Sequence, residues 1–325
     1  MLRMHKRLKG GRGIFVFSDP AGAKACLAIA SILIDIDVLV ISDRTFPFFE
    51  DFKINVKSYD ELTTSEWIDY FIPDFIFTGT SIPEKIELNF IKEAKYRNIK
   101  TISFVDHWTN IKQRFWSNQE YIYPSEIWLI DEEAKEKALF DGIPENLICI
   151  SGNPYYDFLK NWRPLDSKKE VFNKIGIDIS SRYILFAPEP LSSFDLQNKY
   201  GFDEVSGLKH LISSTENLNF QNIFIIIKGH PNQNHQLFIE YITESKNKKI
   251  IYLRDFDLNQ LIFYSEVVVG YFSNSLIEAA IMDKKVIRIL IDLIDIKLDP
   301  FYNKKVGVKI CKRKSLVTAL NKILY

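Results

Sequence analysis

The sequence predicts two doubly wound α/β halves, each a parallel sheet covered by helices. Short apolar runs alternate with helix-length segments, the alternation breaks once near residue 163 and restarts, and small, hydroxylated and titratable residues collect just after the apolar runs. The 325 residues suffice for two domains of ordinary size. Lys plus Arg and Asp plus Glu each number 42, so no global field draws the chain to a nucleic acid. With 46% hydrophobic residues, a large core forms without staples, which excludes disorder and a disulfide scaffold. Cys26, Cys149 and Cys311 are odd in number and far apart, the usage of reduced cytoplasmic thiols. The basic start precedes an apolar run, Ile14 to Phe17, too short for a signal peptide, and no stretch is long enough to span a membrane.

In the first half (residues 1–162) the alternation predicts strands over 13–18, 38–41, 75–77, 101–105, 127–130 and 147–150. Helices are predicted over 23–33, 83–96 and 132–140. The proline-containing stretch Asn161 to Asp166 separates the halves. In the second (163–325), strands are predicted over 183–186, 223–227, 250–253, 267–269 and 285–290, and helices near 205–213, 233–245, 258–264, 275–282 and 314–324. A cleft is expected between the halves, with the last helix free to return to the first.

Ligands of open parallel sheets sit beyond the carboxyl ends of the strands, so the residues there carry most weight. Ser273-Asn274-Ser275 opens a helix, whose first amides and serine hydroxyls suit a phosphate; Ser275 with Glu278 also fits a capping box. In Lys228-Gly-His230-Pro231-Asn232, the proline stops a strand and holds His230 where it can donate to a phosphate or act as an acid. Glu189 also follows a second-half strand and is assigned to the donor side. In the first half, Asp106-His107-Trp108 offers a carboxylate base, an imidazole partner and a ring to stack on a sugar, or else a helix cap and an interface filler. Asp19 is the competing base and equally an ordinary Asp-Pro turn. Thr80 and Ser81 are expected on the acceptor side. No Gly-x-Gly-x-x-Gly or P-loop appears, and the five histidines are scattered, so dinucleotide, P-loop and zinc chemistry fall; no cofactor or metal is expected.

The stretch Asp255 to Met282, with Leu258-Asn-Gln-Leu261, Glu266-Val-Val-Val-Gly270, Ser273-Asn-Ser275 and Glu278-Ala-Ala280, resembles the donor half of GT-B glycosyltransferases and sugar-nucleotide 2-epimerases. Together with Gly229-His230-Pro231 it is similar to the His-Pro and serine motifs of bacterial sialyltransferases, polysialyltransferases and glycerophosphate polymer transferases. Gly152-Asn-Pro154 looks like the interdomain motif of the epimerases, and the first half resembles proteins of bacterial surface-polysaccharide clusters. The resemblance implies a GT-B fold, donor-phosphate contacts from His230, Ser273 and Ser275, and a ribose contact from Glu278. The acidic base motif of sialyltransferases is absent, which leaves the base open between Asp106 and Asp19.

The expected function is metal-independent transfer of a sugar from a CMP-, CDP- or UDP-linked donor to a bacterial surface glycan, free or lipid-linked. A UDP-N-acetylhexosamine 2-epimerase and a non-catalytic sugar-nucleotide-binding protein are the alternatives. A basic arm (Arg3, Lys6, Arg7, Lys9, Arg12) and a basic segment (Lys304, Lys305, Lys309, Lys312, Arg313, Lys314) raise peripheral contact with the inner membrane, or else a frayed terminus and a solvated face.

Overall fold

The computed structural model describes residues 8, 11–82, 86–194, 196–216, 222–230, 233–245 and 249–325. The chain divides into two compact units, Met1–Asn161 and Trp162–Tyr325.

The first unit carries strands β1 (Arg12–Phe17), β2 (Asp37–Ser42), β3 (Val56–Ser58), β4 (Phe75–Thr78) and β5 (Lys100–Val105), a small hairpin of β6 (Trp116–Ser117) and β7 (Glu120–Tyr121), then β8 (Glu126–Leu129) and β9 (Ile148–Ile150). Seven of them form one sheet in the order β3-β2-β1-β4-β5-β8-β9, every pairing parallel. Such a sheet is covered on both faces, which is why its strands are continuous apolar runs: Ile14 to Phe17 are fully buried. Phe77 joins Phe15 and Trp128 in a buried ladder with ring centroids 5.4 Å apart in both pairs. Each such side chain contributes on the order of 1.5–3 kcal/mol by leaving water. The covering helices are α1 (Pro20–Ala30), α2 (Thr64–Phe71), α3 (Ile86–Tyr96), α4 (Glu132–Phe140) and α5 (Pro154–Asn161).

The second unit carries β10 (Arg182–Phe186), β11 (Ile223–Lys228), β12 (Ile250–Leu253), β13 (Val267–Gly270), β14 (Lys285–Ile289) and β15 (Val308–Ile310). They form a parallel sheet in the order β12-β11-β10-β13-β14-β15. Its helices are α6 (Lys168–Lys174), α7 (Gln197–Tyr200), α8 (Glu204–Glu216), α9 (His235–Ser245), α10 (Leu258–Tyr264), α11 (Asn274–Ile281) and α12 (Arg313–Leu324). The last of these buries Leu316, Leu320 and Leu324 in the second unit's own core, and Arg182 donates to the Leu324 carbonyl at 3.0 Å. Each sheet reverses its strand order beside its first strand, at β1/β4 and β10/β13, where doubly wound sheets bind ligands.

Several boundaries differ from the sequence expectation for local reasons. Helix α1 begins at Pro20, not at residue 23, because proline is pre-shaped for a first helical turn and Asp19 caps it, accepting the Gly22 N–H at 2.7 Å. Helix α2, absent from the sequence expectation, opens on a complete capping box of Thr63 and Glu66. Helix α5 runs to Asn161, so the break between the halves starts at the end of a helix. Strands β3 and β15 are edge strands of three residues with a lysine in the middle, too short and polar to show in a pattern.

Candidate functional site

In the first unit the neighbouring strands β1, β4 and β5 are followed by Asp19, Thr80-Ser81 and Asp106 respectively. The loops after β1 and β4 touch through glycines: a Cβ on Gly79 would lie 2.8 Å from the Gly22 Cα, so a side chain there would push them apart. Burial, reinforced by the negative charge of Asp106, raises the Asp19 pKa to about 6, against the pull of the Gly22 N–H and Arg114. Asp106 pairs with Arg114 at 3.1 Å, and both side chains are largely enclosed. Arg114 also donates to the Thr80 carbonyl (2.9 Å) and hydroxyl (3.2 Å), which locks the β4 loop to the β5 loop.

His107 accepts the Thr109 N–H on Nδ1 at 3.2 Å, which puts the proton of the neutral ring on Nε2. Burial lowers its pKa although Asp106 opposes this, so His107 is a neutral donor at pH 7. Trp108 donates to both oxygens of Asp131 at 2.8 Å, and Asp131 in turn caps α4. The Trp108 ring also walls a surface groove of about 500 Å³ shared with Thr109, Lys137 and the exposed Phe140. Thr80 and Ser81, expected on the acceptor side, are buried and engaged within the fold. The Thr80 hydroxyl donates to the Phe104 carbonyl at 3.1 Å, and Ser81 donates to Glu87 at 2.7 and 2.8 Å. Glu87 also accepts the Ser18 N–H at 3.1 Å; burial raises its pKa to about 7 despite these bonds.

In the second unit, β11, β10 and β13 lie side by side, so His230, Glu189 and the Ser273 loop follow three adjacent strand ends, with strands about 4.8 Å apart. Gly270 ends β13 because a Cβ there would sit 2.7 Å from the Ala187 carbonyl oxygen. The Glu189 carboxylate accepts the Phe272 N–H on one oxygen; the other is buried with no hydrogen-bond partner among the described residues. Burial raises its pKa to about 7. Arg288, fully buried on β14, donates to the Tyr271 carbonyl at 2.9 Å and pairs with buried Asp299, fixing the same loop from below.

The helix cap is Ser273, and the Ser275–Glu278 capping box is not formed. Ser273 Oγ accepts the Ser275 N–H at 3.3 Å and the Ser275 hydroxyl at 2.9 Å. Asn274 is thus the first helical residue and Ser275 the second, while Glu278, one turn on, is buried. Two first-turn amides already have acceptors at the cap, Ser275 N–H on the Ser273 hydroxyl and Leu276 N–H on the Ser273 carbonyl at 3.0 Å, so an anion at this terminus would share them with those bonds. His230 is half-buried; burial and the Lys228 charge lower its pKa, so it is neutral at pH 7. Lys228 is drawn aside to the Gly229 and Arg254 carbonyls at 2.9 and 2.8 Å. Pro231 and Asn232 lie outside the described residues, as do Arg3, Lys6, Arg7 and Lys9 of the basic arm.

Sequence reasoning missed Arg114, Glu87 and Glu204. Glu204, fully buried, accepts the Ser192 N–H at 3.0 Å and the Gln233 amide, so it ties the loops after β10 and β11 to the start of α8. A carboxylate in the first turn of a helix, amid residues of its apolar face, is the signal Glu87 and Glu204 share; Arg114 leaves none.

Two parallel sheets, each turning at its own switch point, define a protein of the GT-B class. The sequence profile of the CDP-glycerol:poly(glycerophosphate) glycerophosphotransferase family matches residues 133–298, just over half of the chain, and the protein belongs to that family. No curated protein matches its sequence. Among solved structures, the fold is similar to UDP-GlcNAc 2-epimerase from Methanocaldococcus jannaschii, with 16% identity over 96% of this chain and 92% of that one and a TM-score of 0.67. It is also similar to a putative UDP-N-acetylglucosamine 2-epimerase from Listeria monocytogenes (14% identity, 97% and 88% covered, TM-score 0.69). Anabaena HepE in complex with UDP-glucose is a third such structure (14% identity, 96% and 89% covered, TM-score 0.59).

Proposed function

We propose that the protein transfers an activated group from a nucleotide-linked donor to a hydroxyl of a bacterial surface glycan, free or lipid-linked. The observation that carries this reading is the row of Glu189, His230 and Ser273 on adjacent strand ends, inside the segment matched by the family. The donor diphosphate would meet the first amides of α11 and the hydroxyls of Ser273 and Ser275, with Asn274 beside it. His230, neutral, would hydrogen-bond the leaving phosphate as its charge develops. Glu189 would hold the loop and Glu278 reach the ribose. Asp106 is our first choice of base for the acceptor hydroxyl and Asp19 the second, with His107 donating from Nε2 and Trp108 stacking on the acceptor. Thr80 and Ser81 position these loops.

Family membership favours a CDP-linked donor with phosphoryl transfer: the acceptor oxygen bonds to the glycerol-bearing phosphorus, the diphosphate bridge breaks and CMP leaves. A sugar donor would instead lose its C1–O bond to the nucleotide. The likeness to epimerase structures supports a second reading, inversion at C2 of a UDP-sugar without an acceptor. Incubation with CDP-glycerol, CMP- and UDP-sugars, with and without a glycerophosphate or glycan acceptor, separates these outcomes by the nucleotide released. Binding without turnover of any donor would overturn the catalytic reading. Among the described residues no three His, Cys, Asp or Glu side chains group to hold a metal; turnover surviving a chelator is the corresponding expectation. None of the described helices is long and apolar enough to cross a membrane. With a nucleotide-linked donor as substrate, we assign the reaction to the cytoplasm.

A further inference from the structure

The second unit has a groove of about 970 Å³ away from the strand ends that carry Glu189, His230 and Ser273. It lies between the edge strand β15, the start of β14, the turn after α11 and one face of α12. Five lysines line it, Lys284, Lys285, Lys309, Lys314 and Lys322, against one acid, Asp283. Two of the five, Lys309 and Lys314, belong to the basic segment legible in the sequence; the fold brings in the other three.

Helix α12 explains the stripe. Leu316, Leu320 and Leu324 recur every fourth residue and are buried, which leaves Lys314, Thr318 and Lys322, at the same spacing, along the groove. Lys284 donates to the Ser265 carbonyl at 3.2 Å, and Lys309 pairs with Asp299 at 3.4 Å. Lys285, Lys314 and Lys322 make no ion pair among the described residues, so three ammonium groups of one lining lack an ion partner. Between them the lining is apolar, through Val308, itself half exposed, and Ile323. Tyr302, also half exposed, lies under the Lys309 ammonium, 5.2 Å from it, an aromatic–lysine pairing suited to a membrane interface.

A groove lined by unpaired cations selects an anion, and apolar side chains in the same lining select one that carries a chain. We infer that the groove seats an anionic bilayer lipid, its phosphate among Lys285, Lys314 and Lys322 and its first methylenes over Val308 and Ile323. This docking surface is independent of the donor chemistry. A soluble polyanion would use the lysines but not the floor. Lysines that merely keep the exposed edge of β15 from pairing with another sheet would need no lipid.

The test is co-sedimentation of the full chain with phosphatidylglycerol–phosphatidylcholine vesicles and with phosphatidylcholine alone, at low salt. The expected result is recovery with the anionic vesicles, reduced at least about tenfold by the triple change Lys285→Gln, Lys314→Gln, Lys322→Gln. Val308→Ser, which keeps every charge, should reduce it about threefold, and Lys169→Gln, at an exposed position of α6, should leave it unchanged. Unaltered thermal unfolding and nucleotide binding certify that the variants are folded. The inference is overturned if the triple variant sediments like the parent, if inorganic phosphate displaces the protein as fully as lipid does and Val308→Ser has no effect, or if the triple variant only gains self-association.

Discussion

The Glu189 carboxylate accepts the backbone N–H of Phe272, so the acid that follows β10 clamps the loop leading into the Ser273 cap. A group with a pKa of about 7 therefore sits at the root of the proposed phosphate site, mostly neutral below that pH and anionic above it.

Nucleotide affinity should accordingly fall as pH rises through 7, because the ionised carboxylate repels the phosphates. Glu189→Gln keeps an oxygen for the Phe272 N–H and removes the charge, so its affinity should stay flat between pH 6 and 8. Calorimetric titrations at both pH values check this; parallel curves for the two proteins would exclude Glu189 from the site.

Replacing Ser273 and Ser275 together by alanine removes the cap and both hydroxyls. The fold should stand, since a lost cap costs about 0.5–2 kcal/mol, while nucleotide binding should weaken roughly tenfold through lost hydrogen bonds to a charged group. Normal binding by the double variant would remove the phosphate from this terminus.

The two candidate bases respond differently to one substitution. If Asp106 is the base, Asp106→Asn should lower turnover by roughly 10²–10⁴ with nucleotide affinity retained. If Asp19 is the base, Asp106→Asn removes one cause of the raised Asp19 pKa. Turnover would then survive, and the acid limb of the pH–rate profile, near pH 6 in the parent, would move to lower pH. We expect the first outcome; a full pH–rate profile of the variant decides.

Glu87 gives a stability prediction. Its carboxyl has a pKa of about 7 when folded against an ordinary 4.5, so its contribution to stability is fully present below 4.5 and is lost as pH rises through 7. Glu87→Gln lacks this loss. Its stability relative to the parent should therefore climb between pH 5 and pH 8, by an amount of order 3 kcal/mol, as read from urea unfolding. A constant difference would mean that Glu87 does not titrate in this window.

The sequence revealed what depends on local pattern. Fully buried strands such as Ile14 to Phe17 and Val267 to Val269 are continuous apolar runs, so their ends, and with them Asp19, Asp106, Glu189, His230 and Ser273, could be located. The choice between Ser273 and Ser275 as cap was not local: both are serines at the start of the helix, and Glu278, the expected partner of Ser275, is buried instead of reaching back. Arg114 joins Asp106 and Thr80 across two loops. Glu204 joins Ser192 to Gln233 in the same way. Such links join residues remote in the chain and leave no period to read. The edge strand β15 is equally silent, and it lines the lysine groove.

In both sheets the first strand to be synthesised becomes an interior one, flanked on each side. Gly13 pairs with Phe75, 62 residues later, and Ile184 with Val267, 83 residues later. At ribosomal speeds of about 5–20 residues per second, one side of β1 waits roughly 3–12 seconds for its neighbour. During that interval a run of fully apolar residues has an open edge, and a nascent chain is then at its most vulnerable to pairing with the wrong strand. The strand order that puts each switch point beside the first strand thus also sets when, in biosynthesis, that strand's apolar edge stays open.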